Sequence, residues 1–141
     1  MSPASPGAAI RAPVLAGLAL VTATAVAGAY RTGPPPGHTG AFDQPDCAAC
    51  HFDALRDDPA GSVALEAPER YRPGGTYEVT VTLRYPELPA GGFQLAARYL
   101  EGPCAGRQAG ALEATDERTR IQTGEDGVAY ASHSEDGVTP R

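Results

Sequence analysis

Tryptophan is absent from this 141-residue chain, cysteine occurs three times, and methionine once, at position 1. No helical periodicity is sustained over a long stretch. No apolar run reaches the ~20 residues that a comfortable membrane-spanning helix needs. Basic residues are few as well: 11 Lys and Arg stand against 17 Asp and Glu, a formal charge of −6. That balance argues against nucleic acid, which selects basic faces, and the basic residues do not gather into a membrane-binding patch. What the chain does have is 17 glycines and 14 prolines, a composition that favours short strands joined by turns.

Arg11 is the only charged residue before Arg31, and the apolar stretch "VLAGLALVTATAVAGA" lies between them. A positive start, a short apolar run and small residues at Ala27 and Ala29 are the pattern of a secretory signal peptide over residues 1–29. Cleavage after Ala29 or Ala27 exports the remainder to the periplasm, the cell surface or the medium. Retention as an uncleaved anchor exports it too, and is the only membrane attachment expected. About 110 residues then remain, enough for one small domain.

Residues 30–45 read as a Pro/Gly-rich linker, with 31–37 a disordered tether. Pro34, Pro35 and Pro36 fix an extended path, and Gly33, Gly37 and Gly40 break any regular element around them. Residues 46–60 hold the cysteine cluster, and "HFDALRDD" predicts one or two helical turns ending at Pro59. Residues 61–141 then change character. "GSVALEAP" alternates. In "TYEVTVTLRYP", Tyr77, Val79, Val81, Leu83 and Tyr85 share one face, and Glu78, Thr80, Thr82 and Arg84 the other, the period of a half-buried strand. "GGFQLAARYL" alternates again, with Phe93, Leu95, Ala97 and Tyr99 together, and "AGALEA", "TRIQT" and "GVAYASH" are weaker strands. About six strands at this spacing predict a mostly β fold, a small antiparallel immunoglobulin-like sandwich, which ordinarily has about seven. The two long apolar faces are its expected core. Without a closing strand, an open sheet edge is left that can pair with another chain.

The chemistry is concentrated in "DCAACHFD". Two thiols separated by two residues can reach the two vinyl groups of one haem, and the histidine directly behind them then lies under the iron. C-x-x-C-H is the attachment signature of c-type haem, and histidine is a common proximal ligand. Cys47 and Cys50 are thus candidate thioether residues of a single covalent haem c, with His51 on the iron. Zinc would draw on Cys47, Cys50, His51, His38, His133 and Cys104, but no second C-x-x-C pair exists. A thioredoxin-like pair belongs at the start of a helix in a βαβ unit, whereas here a linker precedes and antiparallel strands come after. A short-loop disulfide between Cys47 and Cys50 is the plain structural alternative.

With Met1 in the signal peptide, a His/Met iron is excluded. The sixth position falls to His38 on a flexible loop, to His133 on a stiffer strand-end mount, to a partner's ligand, or stays open. Cys104, in "EGPCAGRQ", reads as a turn residue. Asp116, Glu117, Glu125, Asp126, Glu135 and Asp136 read as solvated loop ends. No serine or cysteine nucleophile stands beside a base and an orienting acid, so an electron carrier or binding protein is expected rather than an enzyme.

The order of "GHTGAFDQPDCAACH", "GSVAL", "YRPGGTYEVTVTL", "GGFQLAARYLEG", "AGALEA" and "VAYASHSEDG" resembles a bacterial family of exported proteins. These join a C-x-x-C-H haem-attachment motif to a Reeler-like (Reelin-type, choice-of-anchor V) β-sandwich. The resemblance spans most of residues 38 to 137. It implies a haem-binding N-terminal arm on a Reelin-type sandwich, with Cys47 and Cys50 as attachment points and His51 as proximal ligand. It also implies His133, at a strand end, as a sixth ligand. The chain departs from the family at Phe42, where proline is usual after "TGA", at Cys104, and in lacking the aromatic-rich final strands. The expected function is that of an exported monohaem c-type cytochrome-like protein, passing one electron at a time to a redox partner protein in the cell envelope. The competing expectation is an extracellular adhesion or scaffold module in which Cys47 and Cys50 are only a disulfide.

Overall fold

A computed structural model describes residues 30–52, 55–87 and 89–138. They form five strands, β1 (Ser62–Glu66), β2 (Thr80–Arg84), β3 (Gln94–Ala96), β4 (Thr119–Thr123) and β5 (Ala129–His133), and one 3-10 turn over Cys47–Ala49. β1 and β2 make one antiparallel sheet, while β3, β5 and β4, in that order, make a second. Among the described residues the fold is therefore mostly β with almost no helix, consistent with a small sandwich-like fold. The signal-peptide reading falls on residues 1–29, outside the described residues. Among the described residues no helix is long and apolar enough to cross a membrane.

Period-two alternation located five of the six expected strands. "AGALEA" forms none; a single bridge, Arg98 to Gln108, lies just before it. β2 starts at Thr80 rather than Tyr77, for two local reasons. Its partner β1 ends at Glu66 and is soon followed by Pro68, which has no N–H to continue a ladder. Tyr77 is also turned back, its hydroxyl accepting the Arg72 N–H at 2.7 Å. The helical turns expected in "HFDALRDD" are not formed among the described residues, where Asp57 instead adopts a left-handed φ of 56°.

The core lies elsewhere than expected. Pairing of Val63 with Leu83 and Leu65 with Val81 puts these four side chains on one face of the β1–β2 hairpin, since directly opposed residues share a face. That face is apolar but open on its β1 side, where Val63 is 73 % and Leu65 56 % exposed, while Val81 and Leu83 on β2 are half-buried. The buried residues cluster on and beside β5: Val128, Tyr130, Ala131, Ser132, His133 and Val138. β5 is the middle strand of its sheet, so both its edges are paired and the free edges belong to β3 and β4.

One face of that sheet is covered by the segment expected to be a linker. Gln94 opposes Ser132 and Gln122 opposes Tyr130, so these four side chains point the same way. Residues 30–46 lie over them. Proline brings a carbonyl and no N–H, so an extended Pro run can only accept hydrogen bonds, and the sheet supplies amide donors. Gln94 Nε2 donates to the Pro35 carbonyl at 2.9 Å, and Gln122 Nε2 to the Pro34 carbonyl at 3.3 Å. Gly33 is buried beneath the arm with φ +96°, and a Cβ there would sit 2.7 Å from both the His133 carbonyl and Ser132 Oγ. The tether reading of residues 31–37 is thus replaced by a docked strap.

Candidate functional site

The strap delivers the chain to the cysteine cluster through a tight loop. Gly40 N–H donates to the Pro45 carbonyl at 3.0 Å and Gln44 N–H to the Ala41 carbonyl at 3.1 Å. Thr39 Oγ1 donates to Gln44 Oε1 at 2.7 Å. Phe42 and Asp43 take left-handed φ values of 54° and 60°, which a proline at 42, fixed near −65°, cannot adopt. Phenylalanine at 42 thus suits a turn that proline would not allow. Phe42 also stacks on Arg98, whose guanidinium carbon lies 5.5 Å from the ring centroid.

Asp46 opens the cluster as an N-cap. Its Oδ1 accepts the Ala48 N–H at 2.9 Å, the usual way a short acidic side chain satisfies a helix-start donor. Its other oxygen accepts from Arg56, which closes the segment around the turn. The Cys47 carbonyl then accepts both the Cys50 N–H at 3.2 Å and the His51 N–H at 2.9 Å. The 3-10 turn ends at Ala49 and Cys50 is its C-cap, so Cys47 and Cys50 flank a single turn and His51 comes directly after it. Both cysteines are free and exposed, and His51 is exposed. Two apolar side chains beyond the turn stand in the open, Phe52 at 79 % and Leu55 at 74 % exposure.

Asp58 fastens this segment to the hairpin. It accepts from the Tyr85 hydroxyl at 2.8 Å and from the Ala60 N–H at 2.9 Å. The Ala60 N–H and then the Tyr85 hydroxyl hold its carboxyl below the usual range, while Asp58 in turn raises the Tyr85 phenol.

The two candidate sixth ligands occupy unlike settings. His133 is buried, with both ring nitrogens engaged: Nδ1 lies 3.1 Å from the Phe93 N–H, which donates to it, and Nε2 lies 3.1 Å from the Tyr30 carbonyl, to which it donates. A Cβ on Gly92 would come within 2.6 Å of Nδ1. The stiff mount expected at His133 is real, but it serves to tie Tyr30 and Phe93 together. His38 is half-buried. Its Nδ1 lies 3.1 Å from the Pro35 carbonyl, and its backbone N–H donates to Gln94 Oε1 at 2.6 Å. Its loop is clamped rather than flexible.

Sequence reasoning missed a polar cluster beneath the loop. Tyr130, fully buried, donates to Asp126 Oδ2 at 2.7 Å and accepts from Gln44 Nε2 at 2.6 Å and from Arg98. Arg98 also pairs with Asp126 at 2.5 Å and donates to the Gly106 carbonyl at 2.8 Å. The Tyr130 hydroxyl, ahead of the backbone N–H of Val128 and Arg98, holds the Asp126 carboxyl down to about 2 against the opposing effect of burial. Burial, followed by Asp126, raises the Tyr130 phenol. Asp126 is thus a loop-end carboxylate, as expected, but one tied into the fold. A polar side chain at an inward strand position, such as Gln94 or Gln122, was the available signal.

Cys104 is a half-buried free thiol in the loop between Arg98 and Gln108. Among the described residues no group of three or more His, Cys, Asp or Glu is arranged to hold a metal ion. No family model, curated protein or solved structure matches the chain.

Proposed function

We propose that this chain is an exported monohaem c-type cytochrome-like protein that passes single electrons to a redox partner at the cell envelope. The observation that carries the reading is the turn at 47–51, in which the Cys47 carbonyl takes the N–H groups of both Cys50 and His51 and all three side chains are exposed. The donor set fits the group: Cys47 and Cys50 would hold it, each thiol adding across one vinyl with sulfur to one carbon and hydrogen to the other, and the exposed imidazole of His51 would be accessible to ligate. When bound, the haem iron supplies a one-electron couple. The chain's own part is to hold the turn. Asp46 caps it, Arg56 closes it from the far side, and the loop at 38–46 fixes it against the sheet. Exposure of Phe52 and Leu55 beside the turn leaves an apolar approach for a partner. Export rests on the signal-peptide pattern of residues 1–29, because c-type haem is attached outside the bacterial cytoplasm.

The apolar face of β1 and β2, open on its β1 side, favours a second reading, an extracellular adhesion or scaffold module with a Cys47–Cys50 disulfide. One experiment separates them. The protein is expressed with residues 1–29 in a host with the cytochrome c maturation machinery, and its pyridine haemochrome spectrum is taken after denaturation and acid–acetone extraction. A covalent c-type spectrum, lost in Cys47→Ala and Cys50→Ala, is expected. Haem-free protein with Cys47 and Cys50 oxidised to each other would establish the scaffold instead.

A further inference from the structure

We infer that His38, and not His133, supplies the axial ligand opposite His51; this rests on the haem reading proposed for the turn at 47–51. A histidine that ligates a metal through one ring nitrogen characteristically donates the other N–H to a carbonyl or carboxylate, which fixes tautomer and ring orientation. His38 has that arrangement before any metal arrives. The Pro35 carbonyl can only accept, so the contact at 3.1 Å makes Nδ1 the protonated nitrogen. Nε2 is then left with its lone pair and no hydrogen-bond partner among the described residues. The orientation is held from a second side. Gln94 spans the turn, taking the His38 N–H on Oε1 and giving its Nε2 to the same Pro35 carbonyl. One side-chain amide thereby locks both the backbone of His38 and the acceptor of its ring.

Placement agrees with orientation. The loop after His38 closes on itself through the Gly40 to Pro45 hydrogen bond. It brings Gly40 so close to the attachment turn that a Cβ there would lie 3.2 Å from that of Asp46, the cap of Cys47. His38 therefore stands two residues before the point where the loop meets the cap of the attachment turn. His133 meets none of these conditions. Its ring is buried against Gly92 and both nitrogens are consumed by Phe93 and Tyr30, so ligation through either one would break a contact inside the fold, for Nε2 the one that holds Tyr30 of the strap.

The test uses matured full-length protein and reads the ferric spin state by visible and EPR spectroscopy. Intact mass checks haem attachment in every variant. Wild type should be low-spin and indifferent to added imidazole. His38→Ala should turn high-spin, and imidazole should restore the low-spin spectrum. His133→Gln, which keeps an acceptor and a donor in the core, should stay low-spin. Should His38→Ala mature poorly, His38→Met gives an independent readout. A thioether on the iron raises the potential, so the midpoint should move up relative to wild type. The inference is overturned, with the haem reading intact, by a covalent haem that is high-spin in wild type. A His38→Ala protein that stays low-spin, or a His38→Met protein with unchanged potential, overturns it in the same way. Absence of covalent haem in wild type would bring down both.

Discussion

Gln44 Nε2 donates to the Tyr130 hydroxyl at 2.6 Å, joining the loop just before Cys47 to a fully buried side chain in the middle of the sheet. That hydroxyl has one proton and two lone pairs, and all three are used: it donates to Asp126 and accepts from Gln44 and Arg98. The loop just before the candidate site is therefore anchored at this oxygen atom, beside the contacts that Gln94 and Gln122 make to the strap.

Removing that atom should be costly. Tyr130→Phe keeps the ring but takes the acceptor from half-buried Gln44 Nε2, one of three acceptors from Arg98 and a donor from Asp126. Leaving such a partner unsatisfied costs about 1–3 kcal/mol. For a domain of this size each kcal/mol lowers the thermal midpoint by about 4–8 °C. Tyr85→Phe removes a solvent-exposed hydrogen bond, that to Asp58, and should leave the midpoint where it was. Equal midpoints for wild type and Tyr130→Phe would show that the anchor does not matter.

Asp126 sets an acid limit to stability. Its carboxyl lies at about 2 in the fold against a usual 3.8. In the window between, the unfolded chain binds a proton that the folded chain does not, so acid favours unfolding. The contribution is fully present above roughly pH 4 and is lost as the pH falls toward roughly pH 2. Unfolding midpoints across that range should decline for wild type and decline less for Asp126→Asn. Parallel curves would mean that Asp126 does not carry the acid sensitivity.

Strand positions were legible because alternation is a local signal; "TRIQT" and "GVAYASH" became β4 and β5. Which alternating face ends up buried is not local. Val63, Leu65, Val81 and Leu83 carry as strong an apolar pattern as any segment, yet the cover goes to β5, whose side chains include small Ala and Ser. The strap was illegible for the same reason. Its prolines show that it cannot pair with itself, but the donors that take up its carbonyls are Gln94 and Gln122, 59 and 88 residues away from the prolines they contact. The cysteine turn stood out because C-x-x-C-H is a local pattern, and the backbone hydrogen bonds of Cys50 and His51 lie within residues 47–51.

Gly33 tests the strap directly. A side chain at φ +96° is strained, and its Cβ would meet the His133 carbonyl and Ser132 Oγ at 2.7 Å. Left-handed backbone costs an L-residue about 1–2 kcal/mol by itself. Gly110 provides the control, with φ +70° and nothing within 4 Å of a Cβ. Gly110→Ala should lose only the backbone amount in urea unfolding, and Gly33→Ala distinctly more. If the two substitutions cost the same, the strap does not lie against β5.

The β1–β2 hairpin offers the sharpest contrast with β5. A two-stranded sheet is marginal alone in water, and this one shows its apolar face to solvent, with Val63 73 % exposed against 7 % for Ala131. An aspartate at position 63 remains hydrated, so Val63→Asp should shift stability by no more than about 0.5 kcal/mol, as surface changes do. The same charge at Ala131 is buried without a partner, and Ala131→Asp should cost upward of about 4 kcal/mol, enough to prevent folding of a small domain. The informative failure is a large loss for Val63→Asp. It would mean that the hairpin face is covered in solution, and dilution then tells by what. A loss that grows as the protein is diluted points to a second copy of the chain, and one independent of concentration points to cover from within it.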